Sequence, residues 1–206
     1  MKKLNYLVMF LMIMGPITVL NADEYKEKDG LVVMEFENAG KTSGWKLDTS
    51  IKGYTGKGAL TAKGGRMSGG GKGTITFTFT ITKPGKYSLQ TRMRAGDNSH
   101  KLNDCWVKFV NGKPLKHASG KYHALRKSKW YKLYESEKRI WPNWGWSGVL
   151  DTDGSGYPYV EYDKPGTYKI QYSIRSDKFS IDRLVLSHES IDAKKKPRDL
   201  SLPETK

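Results

Sequence analysis

Between Thr74 and Thr82 the chain reads TITFTFTIT, in which Ile75, Phe77, Phe79 and Ile81 alternate strictly with threonines. Residues two apart share one face of a strand, so this spacing predicts a strand with its apolar face in a core and its threonine face in water. Similar period-two runs predict strands over 31–37, 86–94, 104–110, 157–162, 167–175 and 179–187. No amphipathic helix competes with them. Gly and Pro clusters separate the runs at GYTGKG, GGRMSGGGKG, KPGK, DGSGYP and KPGT, and connections of this kind join strands through turns rather than helical crossovers. The pattern predicts an all-β, antiparallel jelly-roll β-sandwich.

Two of those turns echo each other: KPGKYSLQ begins at Lys83 and KPGTYKIQ at Lys164. Each sets Pro and Gly in a tight turn and releases the chain into a strand with Tyr at the same offset, which predicts equivalent strand entries rather than a tandem repeat. The rhythm lapses from Asn111 to Ser155, where Trp130, Trp141, Trp144 and Trp146 sit among many lysines. This is read as one long Trp-rich insertion, and tryptophans in a long connection point to function rather than disorder. The domain division is therefore a leader over 1–22, a short linker over 23–30, one sandwich over 31–188 and a polar tail over 189–206, read as a frayed end or linker.

The leader changes the expected compartment. Lys2 and Lys3 precede an apolar run from Tyr6 to Leu20 and the chain turns charged at Asp23, the order of a secretory signal peptide and short for a membrane span. The expectation is a secreted, periplasmic or cell-surface protein, monomeric and without a membrane span once processed. Cys105 is the single cysteine, so no internal disulfide forms, and its strand-like setting predicts a packed residue. A formal charge of +15 favours acidic partners. Export argues against nucleic acid and points to anionic glycans or an acidic envelope surface; solubility alone is the plainer reading.

Several constellations could carry chemistry. Glu35 and Glu37 stand two apart in VVMEFENA, so both carboxylates leave one face of a strand, and two hard oxygen donors invite Ca²⁺ with Asp182 of FSIDRLVL as a third. Surface carboxylates beside lysines are the alternative. DTDGSG, from Asp151, resembles the start of an EF-hand loop, but its twelfth position is Tyr162 and no helices flank it, so it reads as a turn. The four histidines lack zinc spacing, and no nucleophile elbow or P-loop is present. Glu135 and Glu137 read as a solvated edge. WPNWGWSG, from Trp141, offers three indoles on which the flat C–H faces of sugars can stack, with Lys127, Lys129, Lys138 and Arg139 as a cationic rim; core packing is the alternative for each indole.

VVMEFENA, GYTGKGAL, the alternating strand, KPGKYSLQTRMRAGDNS and the closing FSIDRLVL together resemble the carbohydrate-binding modules of families six and thirty-five. The resemblance spans Leu31 to Ser187. It implies a galactose-binding-like β-sandwich and a structural Ca²⁺ near Glu35, Glu37 and Asp182. It leaves the sugar-contacting aromatics unassigned one by one, and the Asn111–Ser155 segment departs from compact members. The expected function is binding of a polysaccharide, acidic ones included, without chemical change. Its candidate contacts are Trp144, Trp146, Trp141, Trp130, Asn98, His100 and Arg175. A small jelly-roll polysaccharide lyase and a protein-binding envelope scaffold are the rival expectations.

Overall fold

A computed structural model describes residues 24–40, 42–65, 67–97, 100–136, 142–146, 148–192 and 196–206. The expected leader, Trp141, Asn98, Glu137, Lys138 and Arg139 lie outside them. Among the described residues no helix is long and apolar enough to cross a membrane.

The strands are β1 (Tyr25–Lys26), β2 (Leu31–Glu35), β3 (Trp45–Asp48), β4 (Ala59–Ala62), β5 (Ile75–Ile81), β6 (Gly85–Arg94), β7 (Asp104–Phe109), β8 (Lys113–Ala118), β9 (Lys121–Ala124), β10 (Trp130–Tyr134), β11 (Val149–Thr152), β12 (Gly154–Tyr162), β13 (Gly166–Ser173) and β14 (Ser180–His188). One sheet runs β1-β5-β13-β7-β10-β11, and the other runs β12-β6-β14-β4-β3, with β2 also on β14 and the β8–β9 hairpin on β12. Together they form the expected jelly-roll sandwich, antiparallel throughout these pairings except for the parallel pair β1–β5. β12 belongs to both sheets. Its first residues pair with β11 in the register Asp151↔Ser155, and its later ones pair with β6 and β8 in the registers Tyr159↔Ser88 and Tyr157↔His117.

Alternation accounts for the core. Ile75, Phe77, Phe79 and Ile81 are buried while the intervening threonines are half-buried. Phe36 meets Phe77 and Tyr172 edge-on, with ring centroids 5.1 and 4.9 Å away, an arrangement that suits the ring quadrupoles. Cys105 is fully buried, and burial pushes its thiol well above the ordinary range, so it packs as a small apolar residue.

The echoed turns are built alike. Gly85 and Gly166 take φ of +144° and +156°, a region that side chains with a Cβ rarely enter. Tyr87 then donates its hydroxyl to the Lys83 carbonyl at 2.7 Å, and Tyr168 donates to the Lys164 carbonyl at 2.7 Å. One turn opens a strand of each sheet, and the two rings meet Tyr162 at 5.5 and 4.3 Å. The pair thus clamps the two sheets at one end of the sandwich.

Three segments are more ordered than their sequence suggests. The Asn111–Ser155 stretch is not an irregular insertion; it holds β8, β9, β10 and β11. These strands are short, and β9 is exposed at every residue, so the half-buried alternation that reveals longer strands is weak here. The stretch read as a linker places β1 against β5 and hands Glu27 four bonds, from Gly30 N, Thr82 N and Oγ1, and Lys83 N. The terminal stretch is fastened rather than frayed. Glu204 accepts from Tyr25 Oη, Glu35 N and Asn38 Nδ2 at 3.1, 3.0 and 2.8 Å, and Thr205 N donates to Val33 O.

Burial alone would raise the Glu27 carboxyl, but the bonds from Thr82, Gly30 and Lys83 outweigh it and hold it below the usual 4.5. A lowered folded-state value adds stability that is present above the unfolded value and is lost as pH falls. Glu27→Gln is therefore expected to cost about 1–3 kcal/mol at neutral pH, with the gap to wild type closing below about pH 4. Denaturant melts across pH measure it.

Candidate functional site

Among the described residues, a cluster of aromatic and cationic side chains lies on the outer face of the first sheet. In β7 the inward residues are Cys105, Val107 and Phe109, which leaves Trp106 and Lys108 outward. In β10 Tyr131 and Leu133 point inward, which leaves Trp130, Lys132 and Tyr134 outward. The register Trp130↔Lys108 and Lys132↔Trp106 interleaves them. Lys108 Nζ lies 4.7 Å from the Trp130 ring, and the Arg175 guanidinium lies 5.4 Å from the Trp106 ring. Both separations suit cation–π contact.

A groove of about 520 Å³ opens here, lined by Trp106, Trp130, Arg175, Arg126, Lys129 and Lys132 together with Asp151 and Asp153. Arg175 Nη1 holds Asp104 at 2.5 Å, and Lys132 pairs with Asp151. Trp106 Nε1 and Arg175 Nε are buried donors with no hydrogen-bond partner. Such orphans are rare and cost about 1–3 kcal/mol each. Gly70 lies against Trp130, where a Cβ would fall 2.3 Å from the indole, so the 67–72 loop can cross that ring only with glycine at this position.

Trp144 and Trp146 occupy the outer face of the second sheet. Gly145 bridges Met93 in both directions at 2.9 Å, extending the free edge of β6. In an extended segment Trp144 and Trp146 then share one side. Trp144 donates from Nε1 to Lys52 O at 3.0 Å and stacks at 5.0 Å over the Arg92 guanidinium. Trp146 packs on Leu31, Val33 and Val185 and lines a 210 Å³ cleft with Tyr157, Tyr159 and Gln90. Neither indole is core, and neither joins Trp130 and Arg175 in the first groove. His100 is exposed between β6 and β7.

The carboxylates converge under the 53–57 loop. Glu35 is 2% and Asp182 0% exposed. Arg183 bonds Glu35 Oε1 through Nε at 2.7 Å, and Arg92 reaches Asp182 Oδ2 at 2.5 Å. Thr55 Oγ1 lies 2.8 Å from Glu35 Oε2 and 3.0 Å from Asp182 Oδ2, while Lys57 N donates to Glu37 Oε1 at 2.7 Å. Glu37 Oε2 is buried with no partner. Burial, followed by the charges of Glu35 and Asp182, pushes the Glu37 carboxyl up to about 7; burial also raises Glu35 despite Arg183. Three hard-oxygen groups thus stand against two guanidinium ions, with one carboxylate oxygen unspent. That donor set fits Ca²⁺ chemically, although among the described residues no three such side chains form a ready-made metal cage.

DTDGSG is a hairpin turn between β11 and β12. Lys116 Nζ, on a residue 7% exposed, donates to the carbonyls of Asp153 and Gly154 at 2.6 and 2.9 Å. The chain's own ammonium thereby takes up two of the loop's backbone carbonyl oxygens. Glu135, read as a solvated edge, is instead fully buried at the end of β10, held by the main-chain pairing of Glu135 N with Asn103 O and by Asn103 Nδ2 on Glu135 O. Sequence reasoning missed Trp106, Lys108 and Arg92. Trp106 was legible as the outward residue of DCWVKF; Arg92 carried no such signal.

No protein-family model matches the chain, and a search of curated proteins finds no match. Among solved structures it is similar to a family 35 carbohydrate-binding module from Paenibacillus barcinonensis, at 11% identity over 77% of this chain and 99% of that one, with a TM-score of 0.46. It is similar to the C-terminal family 6 module of a laminarinase from Zobellia galactanivorans, at 13% identity over 76% and 98% of the two chains, with a TM-score of 0.42. It also matches a mannanase from Podospora anserina that carries a family 35 module, at 21% identity and a TM-score of 0.46, covering 81% of this chain and 29% of that one.

The ion pairs are buried, so their removal is not a surface effect. Arg183→Met leaves Glu35 without its partner and is expected to cost about 3–5 kcal/mol in chemical denaturation, whereas Glu35→Gln/Arg183→Met recovers much of that loss.

Proposed function

We propose that the protein binds a carbohydrate polymer without altering it. The observation that carries this is the groove over Trp106 and Trp130, where indole rings alternate with Lys108, Lys132 and Arg175 on a rigid sheet. Indole faces suit the apolar faces of sugar rings, and the cationic groups of Arg126, Lys129 and Lys132 that line the groove suit acceptor oxygens such as hydroxyl or carboxylate. The sequence likeness to families six and thirty-five supports the same reading. Trp144, Trp146 and Arg175 are proposed as contacts or supports; His100 is a candidate outside the groove, and Asn98 and Trp141 are candidates outside the described residues. Secretion as a monomer completes the proposal, and a cationic chain at +15 favours acidic glycans.

The same proposal includes a structural Ca²⁺ held by Glu35, Glu37 and Asp182. It would neutralise the carboxylates that Arg92 and Arg183 leave uncompensated and fix the 53–57 loop, on which Trp144 rests.

Affinity electrophoresis against polygalacturonate, alginate, dextran sulfate and mannan tests the binding. Wild type is expected to be retarded by at least one polymer, and Trp130→Ala to lose about tenfold in affinity. Free migration on every gel rejects the reading. Adding Ca²⁺ to chelated protein is expected to raise the Tm, since an ion bound only to the folded state stabilises it; an unchanged Tm removes the ion.

A further inference from the structure

Because β12 pairs with β11 at one end and with β6 and β8 at the other, no sheet edge separates the two outer faces. The surface turns the corner on a single strand. Four shallow depressions follow that turn. The Trp106/Trp130 groove shares Leu125 and Asp153 with a 450 Å³ hollow beside His123, and that hollow shares Ser119 and Ser155 with a 410 Å³ hollow beside His117. The last shares Tyr157 with the Trp146 cleft.

We propose that one acidic polysaccharide chain lies along this continuous track, crossing β12 from Trp106 and Trp130 to Tyr157 and Trp146. The protein then grips the interior of a long chain rather than a chain end. This rests on the carbohydrate reading above and adds its ligand class and binding mode.

Aromatic rings mark the two ends of the route, Trp106 and Trp130 in the first groove and Tyr157, Tyr159 and Trp146 in the last cleft. Between the two ends stands Tyr134, whose hydroxyl meets Ser155 Oγ at 2.8 Å. Tyr157, which lines the last two depressions, is 58% exposed, and a large ring left open to water along a shallow channel marks a binding surface. Cations recur in the linings: Arg126, Lys129, Lys132 and Arg175 in the first groove, Lys116 in the hollow beside His123 and Arg198 in the last cleft. Rings at both ends and cations that outnumber Asp151 and Asp153 along the linings suit a polymer of flat rings that carries negative charge. From β7 through β10, β11 and β12 to β6 there are four strand steps, or about 20 Å of path at the usual strand spacing. That is room for several sugars in a row.

The test uses the full chain, Trp130→Ala and Tyr157→Ala, titrated calorimetrically with polygalacturonate, its size-graded oligomers and neutral mannan. Affinity is expected to climb with oligomer length well past the disaccharide. Tyr157→Ala, a change at an open position, is expected to lose about tenfold on the polymer and nothing on the shortest binding oligomer; Trp130→Ala loses affinity for both. Tyr157→Ala binding the polymer as wild type does, or affinity that stops rising at the disaccharide, overturns the track while the groove stands. Mannan bound as tightly as polygalacturonate overturns the acidic class, and wild type binding neither polymer overturns the track, the carbohydrate reading falling with it where alginate and dextran sulfate also fail to retard the protein.

Discussion

The constraint on which the structure turns is that β12 serves two sheets. A sandwich ordinarily ends each sheet at an edge whose unpaired N–H and C=O groups must be protected. Here the first residues of β12 satisfy β11 and the later ones satisfy β6 and β8. One corner is closed by backbone pairing, and side chains on either side of it share one surface. The opposite end is clamped by the twin tyrosines on Tyr162. Between these two fixtures the outward residues of β7 and β10 are held at strand spacing, which gives Trp106 and Trp130 the rigidity that a loop platform would lack.

A second arrangement, on the other outer face, is electrostatic. Arg92 links two features that the sequence keeps far apart: its guanidinium holds Asp182 while its upper face carries Trp144. Buried charge of this kind is costly unless partnered. The network of Glu35, Asp182, Thr55, Arg92 and Arg183 supplies the partners, and Glu37 Oε2 is the atom left over. Glu37 is thus both the carboxyl that burial pushes up to about 7 and the one with an oxygen unspent.

Much of the fold was legible because its longest strands carry the cleanest alternation. TITFTFTIT became β5, and six further runs became strands within a few residues of their expected bounds. Leu31–Glu37 ended early because Phe36 turns into a short 3₁₀ segment and enters the core. The stretch after Asn111 hid its strands because its outward residues are Lys and Trp and β9 buries nothing. Among site residues, Trp130 and Arg175 do meet in one groove, since both belong to the framework of the first sheet. Trp144 and Trp146 went elsewhere because Gly145 pairs with Met93 and commits both to the second sheet, a long-range contact that local pattern does not encode. The tail misled for a related reason: SLPETK is mostly polar, and besides Leu202 it binds through backbone groups, the Thr205 hydroxyl and one carboxylate, which hydropathy does not register.

That tail bears on how the protein can be shortened. An engineer trimming to the last alternating strand would stop near His188, discarding the segment that places Leu202 over Leu31, Val33 and Val185 and stations Glu204 beside Glu35. The cut would bare a greasy strip on the back of β2 and β14 and loosen the first two strands together. A minimal version would then self-associate through that strip, whereas a fusion partner appended after Lys206 would spare it.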